Sequence, residues 1–209
     1  MSYRFFSNLC FLLFAAMLVS SLLISIVAAA RSLRRRAKTH GTELTSAAAP
    51  PVGGRLADVL LLIAVAATWY NVSSGWIAEF TIYPIYADMS QFGPQAFHGF
   101  SRAYLSRLPI IILPAGIMFL SWSVLLWIPC RGVPSRHIWL AIALCTAFVA
   151  STPLAAGAQD QMYSGGFSQE MYSRLLWSNG ARAIIFTLTG LVALRIVYER
   201  WHQGGRADA

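Results

Sequence analysis

The sequence has little charge. Only 11% of its 209 residues are Asp, Glu, Lys or Arg, whereas about a quarter are charged in an ordinary soluble domain. With 57% hydrophobic residues, this composition excludes intrinsic disorder and argues against a water-soluble single domain. Lys and Arg outnumber Asp and Glu by 16 to 8, but they fall in short segments between apolar stretches rather than across a polar face. The sequence therefore predicts no binding of nucleic acid.

Cysteine and the common catalytic motifs are also scarce. Cys10, Cys130 and Cys145 lie in or beside apolar stretches without C-x-x-C spacing, so we expect packing residues rather than a disulfide framework. The four histidines are scattered and form no H-x-x-x-H or H-E-x-x-H pattern, which predicts neither a metal site nor a haem. A glycine-rich phosphate loop and a G-x-S-x-G elbow are missing as well, and no cofactor is predicted.

Long apolar runs are what the sequence has in abundance. Five of them are long enough to cross about 30 Å of hydrocarbon, which takes about 20 helical residues. They are residues 9–30, 57–82, 108–129, 138–156 and 178–198. The fold predicted from them is all-α, a polytopic membrane helical bundle with an N-terminal anchor helix and a four-helix core.

The first apolar run allows two interpretations. Its end, Ala28-Ala29-Ala30, resembles a signal-peptidase site, but the run is longer than a usual signal core and its basic cluster follows it. A retained anchor is therefore favoured over a cleaved signal peptide. The predicted organisation is an anchor with its basic flank over 1–36, a flexible cytoplasmic linker over 37–55, the four-helix core over 56–200 and a cytoplasmic tail over 201–209.

The charges between the apolar runs predict an orientation. Basic residues tend to remain in the cytoplasm, and most of the 16 Lys and Arg fall on that side if the N-terminus is outside. An odd number of spans then places the C-terminus in the cytoplasm. We expect a multi-pass protein of the cell membrane, in contact with the lipid bilayer. The aromatic residues at the outer end of the second span, Trp69, Tyr70, Trp76, Tyr83 and Tyr86, predict mostly an interfacial belt.

Two segments of the predicted core echo each other. Residues 100–108 (FSRAYLSRL) lead into the third span and residues 167–175 (FSQEMYSRL) lead into the fifth. The similarity is either chance in a biased composition or a sign that two helical hairpins form a parallel repeat. A repeat would make Arg107 and Arg174 equivalent residues that face each other near the outer mouth.

Few polar side chains lie within the predicted spans, where ionisable groups are costly and tend to face the bundle interior. In the second span Asn71, Gly75 and Glu79 recur every four residues and share one helix face. In the fifth span Asn179 and Arg182 are three residues apart and also share a face. Glu79 and Arg182 both lie near the outer ends of their spans, where a direct pair would lower the cost of both charges.

These polar residues support two hypotheses. In the first, six side chains line an outward-facing polar pocket or its rim and bind a lipophilic or anionic small molecule: Asn71, Glu79, Arg107, Arg174, Asn179 and Arg182. In the second, Glu79 and Arg182 form a stabilising pair that fixes how the second and fifth spans dock. Small residues such as those at 155–157 allow close helix contacts within one chain or between copies. A homo-oligomer, a membrane complex and a purely structural assembly role therefore stay open.

Several segments carry a resemblance to a known family. They are residues 76–84 (WIAEFTIYP), residues 97–107, Pro114 with Met118, Thr152-Pro153, and residues 174–182 with their Asn-x-x-Arg. Together they resemble small bacterial four-helix integral membrane proteins of unknown function. Those proteins are similar to the anthrone-oxygenase-like group, whose fungal members are implicated in oxidising polyketide anthrones without a known cofactor. The resemblance covers about residues 57–198.

The resemblance also implies histidines that this chain does not have. Members of the family tend to carry one where this chain has Ser101 and another where it has Ala155. His98 precedes Ser101 by three positions and so lies on the same helix face. With Glu79 it is a candidate general base for an oxygenase. The sequence thus favours a binding or accessory membrane protein, and its alternative is a cofactor-independent membrane oxygenase acting on a lipophilic aromatic substrate.

Overall fold

The computed structural model describes residues 3–39, 54–128, 130 and 132–207, and this part of the chain is all-α. Its elements are α1 (Tyr3–Thr39), α2 (Arg55–Ile77), a π-helical segment (Ala78–Ile82), α3 (Tyr83–Gln91), α4 (Pro94–Val124), α5 (Ser135–Gly165) and α6 (Gln169–Ala207). The predicted all-α helical bundle is confirmed. Most of the predicted linker, residues 40–53, lies outside the described residues.

Five helices are long and apolar enough to cross a membrane. One of them combines α2, the π-helical segment and α3 in a continuous stretch from Arg55 to Gln91. All five extend beyond the predicted apolar runs at one end or both, because helical hydrogen bonding continues into polar sequence until a turn residue ends it, whereas α4 ends at Val124, before the end of its predicted run at residue 129. At the two ends of the chain α1 therefore reaches Thr39, inside the predicted linker, and α6 reaches Ala207, inside the predicted tail.

Two short turns connect α3 to α4 and α5 to α6. Gly93 separates α3 from α4, and Gly166 begins the turn between α5 and α6. Their φ angles are 94° and 88°, a left-handed conformation that glycine adopts without a Cβ clash. Residues 100–108 consequently lie inside α4, whereas residues 167–175 span a turn and the start of α6. The two echoing segments thus occupy different structural positions.

The first helix packs along α4 and runs parallel to it. Ser7 Oγ donates to Ser106 O at 2.7 Å, and further along both helices Ser25 Oγ lies 3.2 Å from Ser123 Oγ. A parallel arrangement is what an alternating path requires of the first and third of five consecutive long helices. α1 is accordingly part of the bundle and not only an anchor tethered to it.

The remaining long helices pack around a shared apolar core. α2 contacts α4 and α6, and α5 contacts α6 and α4. Trp122 lies fully buried at the centre with Met118 and Phe119, and its Nε1 donates to Thr68 Oγ1 at 3.1 Å. This bond satisfies both polar groups inside the apolar core. The three cysteines are free and buried, as expected of packing residues.

The two ends of the bundle differ in chemistry. One end carries the C-termini of α1, α4 and α6 and the N-termini of α2 and α5, and we call it the basic end. Among the residues whose exposure the structure describes, five of the eight exposed arginines lie there, namely Arg31, Arg34, Arg55, Arg136 and Arg195. At the opposite end the helix extensions enclose an aromatic cluster. The ring centroid of Tyr86 lies 5.1 Å from that of Phe100 and 5.9 Å from that of Tyr104. Tyr83 and Tyr86 are buried in this cluster, so the belt predicted for these two residues is wrong.

Candidate functional site

A widened helical turn places Glu79 beside α6. Glu79 belongs to the π-helical segment between α2 and α3. Pro84 accounts for this segment, because it has no N–H to donate to the carbonyl of Phe80 and its ring would collide with that carbonyl in a regular α-helix. π-Helical turns are rare and occur frequently at functional sites.

Glu79, Asn179 and Arg182 form one hydrogen-bonded chain, which we call the Glu79 network. Asn179 Nδ2 donates to Glu79 Oε2 at 2.8 Å and to Gly75 O at 3.3 Å. Asn179 Oδ1 accepts from Arg182 Nη2 at 3.3 Å. In place of the direct pair considered from the sequence, the amide of Asn179 therefore links the two charged groups. The four-residue spacing in α2 and the three-residue spacing in α6 correctly put these side chains on facing surfaces.

A small cavity of about 70 Å³ adjoins the Glu79 network. Asn71, Asn179 and Arg182 line it together with Tyr83 and Tyr104. At about 30 Å³ for each water molecule, this volume suits two waters and is far below the roughly 300–1,000 Å³ of small-molecule pockets. Arg182 Nε is buried and has no hydrogen-bond partner within the described part of the chain. The cavity is thus small and mostly apolar, with an unused donor at its wall.

Glu79 also borders a groove that opens at the outer surface of α6, and we call it the Glu79 groove. It has a volume of about 290 Å³ and is walled by Leu176, Trp177 and Ile184. Gly180 lies at its base, where a Cβ would stand 3.7 Å from Glu79 Oε1. One carboxylate oxygen therefore accepts from Asn179, and the other lies beside an apolar groove.

The other predicted pocket residues are distributed unevenly. Asn71 is buried in the cavity wall, and its Nδ2 donates to Ala67 O of its own helix at 2.7 Å. Arg107 is exposed and takes no part in lining the cavity. Arg174 is exposed too, pairs with Glu170 at 2.7 Å and borders a separate groove between α5 and α6. The structure thus brings neither arginine to the rim of the Glu79 network.

His98 stands apart from Glu79. Its ring centroid lies 5.9 Å from that of Phe97 and 6.3 Å from that of Tyr163, a residue of α5. It lines neither the small cavity nor the Glu79 groove. Of the two candidate bases, Glu79 is therefore the one beside this groove.

The burial of three further polar groups was not predicted from the sequence. Tyr86 Oη, Ser101 Oγ and Gln159 Nε2 are buried at the aromatic end of the bundle and have no hydrogen-bond partner among the described residues. Leaving such a group unpaired costs about 1–3 kcal/mol. The sequence marks Ser101 only as a position where the resembling family tends to have a histidine. Gln159 lies past the end of the predicted fourth span. Their burial depends on how the helix extensions close together, which periodicity does not reveal.

No protein-family model matches this chain, and neither a curated protein nor a solved structure gives a significant match. The resemblance to the anthrone-oxygenase-like group therefore stays a prediction, carried by the residues quoted for it. Among those residues, Asn179 links Glu79 to Arg182 by hydrogen bonds.

Proposed function

We propose that the protein is a multi-pass protein of the cell membrane that binds a lipophilic small molecule at Glu79. In this proposal a four-helix core and α1 span the bilayer, with the N-terminus outside and the C-terminus in the cytoplasm. The concentration of exposed arginines at the basic end supports this orientation, because basic segments are retained in the cytoplasm.

The observation that carries the binding proposal is the bridging position of Asn179. Two opposite charges that served only to stabilise an apolar bundle would be expected to pair directly, since each lowers the cost of the other. Here the amide separates them, and Glu79 Oε1 is left beside the surface groove. The Glu79 network therefore keeps hydrogen-bonding capacity for a ligand in the Glu79 groove.

The Glu79 groove favours a particular class of ligand. Its walls are aliphatic and aromatic, and the polar group at its base is a carboxylate, which accepts hydrogen bonds. A ligand with an apolar body and a hydroxyl or amine donor is complementary to this arrangement. The volume of about 290 Å³ is at the lower end for ligand pockets, so the ligand is small.

Mass spectrometry of compounds retained after gentle detergent extraction tests this proposal. We expect a discrete lipophilic compound in the wild-type protein and a reduction of about tenfold in Glu79→Gln, because hydrogen bonds to charged groups contribute about 1.5–3 kcal/mol. Glu170→Gln is the matched control, since Glu170 is an exposed carboxylate of α6 outside the groove. Finding only bulk phospholipid in all three samples would contradict the proposal and favour an assembly role.

The position of Glu79 also favours a second candidate function, the cofactor-independent oxygenation of an aromatic substrate. A general base must lie within hydrogen-bond reach of the proton it removes, and Glu79 is the carboxylate beside the groove. Glu79 would take a proton from the acidic CH2 of an anthrone, and the carbanion would reduce O2 and bond to it. The peroxide would take the proton back, and loss of water from the hydroperoxide would give the quinone. Consumption of O2 with an added anthrone, abolished in Glu79→Gln, would establish this activity. A retained compound without O2 consumption would leave binding as the function.

A further inference from the structure

The basic end holds an ion-pair network of its own, far from Glu79 along the helices. Glu199 of α6 has Oε2 at 3.0 Å from His137 Nδ1 and accepts from Arg195 Nε through Oε1 at 2.9 Å. The Glu199 and His137 side chains are only 13% and 17% exposed, whereas Arg195 is 59% exposed. One sheltered carboxylate thus holds two nitrogen-bearing side chains from neighbouring helices in place.

An apolar groove of about 390 Å³ extends from these side chains between α5 and α6. Leu140 and Leu144 line it from α5, and Leu188 and Leu191 line it from α6. His137 and Arg195 lie at its mouth, each seven residues from the deepest leucine of its helix, or about 10 Å along the axis. The groove therefore has polar side chains at one end and an aliphatic lining along the rest of its length, which follows the helix axes.

We propose that this groove binds a single anionic phospholipid, with the phosphate at Arg195 and an acyl chain against the four leucines. Arg195 uses Nε for Glu199, and within the described part of the chain its two terminal nitrogens have no hydrogen-bond partner. These nitrogens form the planar fork that suits a phosphate. The proposal does not depend on the Glu79 site.

Charge decides in favour of an anionic lipid over a zwitterionic one. Glu199 already pairs with Arg195, but Arg136, next to His137 at the start of α5, is exposed and adds a further positive charge at this end of the groove. Each basic residue near a membrane surface favours an anionic headgroup by about 1 kcal/mol, or about fivefold in affinity. A choline headgroup would place its own positive charge among these arginines and lose that advantage.

Native mass spectrometry of the full chain tests the proposal after reconstitution in nanodiscs of equal phosphatidylglycerol and phosphatidylcholine. We expect the wild-type protein to retain phosphatidylglycerol preferentially, and Arg195→Ala to lower the retained fraction about fivefold. Arg174→Ala is a closely matched control, because Arg174 is also an exposed arginine of α6, 63% exposed, that pairs with a glutamate four residues away. Equal loss in the two variants, or equal retention of the two lipids by the wild type, would overturn the proposal.

A second variant separates lipid binding from folding. Leu191 is 54% exposed, so Leu191→Trp fills the groove from its open side while every charge remains. We expect this variant to keep its melting temperature and to lose the retained phosphatidylglycerol. Unchanged retention in Leu191→Trp would show that the lipid does not occupy the groove.

Discussion

Asn179 holds together two charged side chains that lie on different helices. Its amide is the donor to Glu79 and the acceptor for Arg182, so both groups depend on it. Asn71 offers a comparison, because this buried amide donates to the backbone of its own helix. The spacing of polar residues predicts which side chains share a helix face. From this spacing it could be predicted that the polar faces of the second and fifth spans meet. The spacing does not reveal that the amide lies between the charges, because that depends on the π-helical turn and on the distance between α2 and α6.

At the residue scale we predict that Asn179→Ala destabilises the protein more than Asn71→Ala does. Removing Asn179 leaves Glu79 Oε2 and Arg182 Nη2 without this partner, and each is partly buried, so the cost is up to about 1–3 kcal/mol for each group. Removing Asn71 releases a backbone carbonyl whose helical bond remains. Unfolding in detergent, followed by circular dichroism against temperature, measures the difference. A larger loss in Asn71→Ala would show that the Glu79 network contributes little to stability.

The helices show which parts of the fold follow from hydropathy and which do not. The apolar runs correctly predicted the number of long helices, because hydropathy marks the stretch that lipid can surround. They missed the extensions that bury Tyr83 and Tyr86, since a helix continues through polar sequence for as long as its backbone bonds are satisfied. They also did not predict that α1 packs against α4. This contact depends on Gly116. A Cβ at this glycine would lie 2.9 Å from Met17 Cε and 3.1 Å from Phe14 Cδ2.

At the element scale we predict that Gly116→Leu separates α1 from α4. Overpacking a tight contact costs about 1–3 kcal/mol, and the leucine has to displace both Met17 and Phe14. Gly99→Leu is the control in the same helix, because a Cβ at Gly99 meets nothing within 4 Å and leucine is the better helix former. We expect a lower melting temperature in detergent for Gly116→Leu and an unchanged or higher one for Gly99→Leu. Equal melting temperatures would mean that α1 adds no stability through this contact.

At the scale of the whole molecule the distribution of charge carries the proposed orientation. The basic end holds most of the exposed arginines, whereas the opposite end holds the aromatic cluster and the Glu79 network. If the basic end faces the cytoplasm, the Glu79 groove lies toward the outer leaflet and the phospholipid groove toward the inner one. The two proposed ligands would then reach the protein from different leaflets, so the orientation decides which lipids and small molecules each groove meets.

Cysteine labelling in intact cells tests this orientation. Gly54 at the basic end and Gly165 at the opposite end are both exposed, and a side chain at either meets nothing within 4 Å. We expect a membrane-impermeant maleimide to modify Gly165→Cys and to leave Gly54→Cys unmodified until the cells are opened. We expect the native thiols to remain unmodified, because they are buried. Burial, with a smaller contribution from Asp58, also raises the pKa of Cys130 to about 11. At neutral pH that thiol is almost wholly protonated and unreactive. Modification of Gly54→Cys in intact cells would reverse the orientation and would exchange the leaflets from which the two grooves are reached.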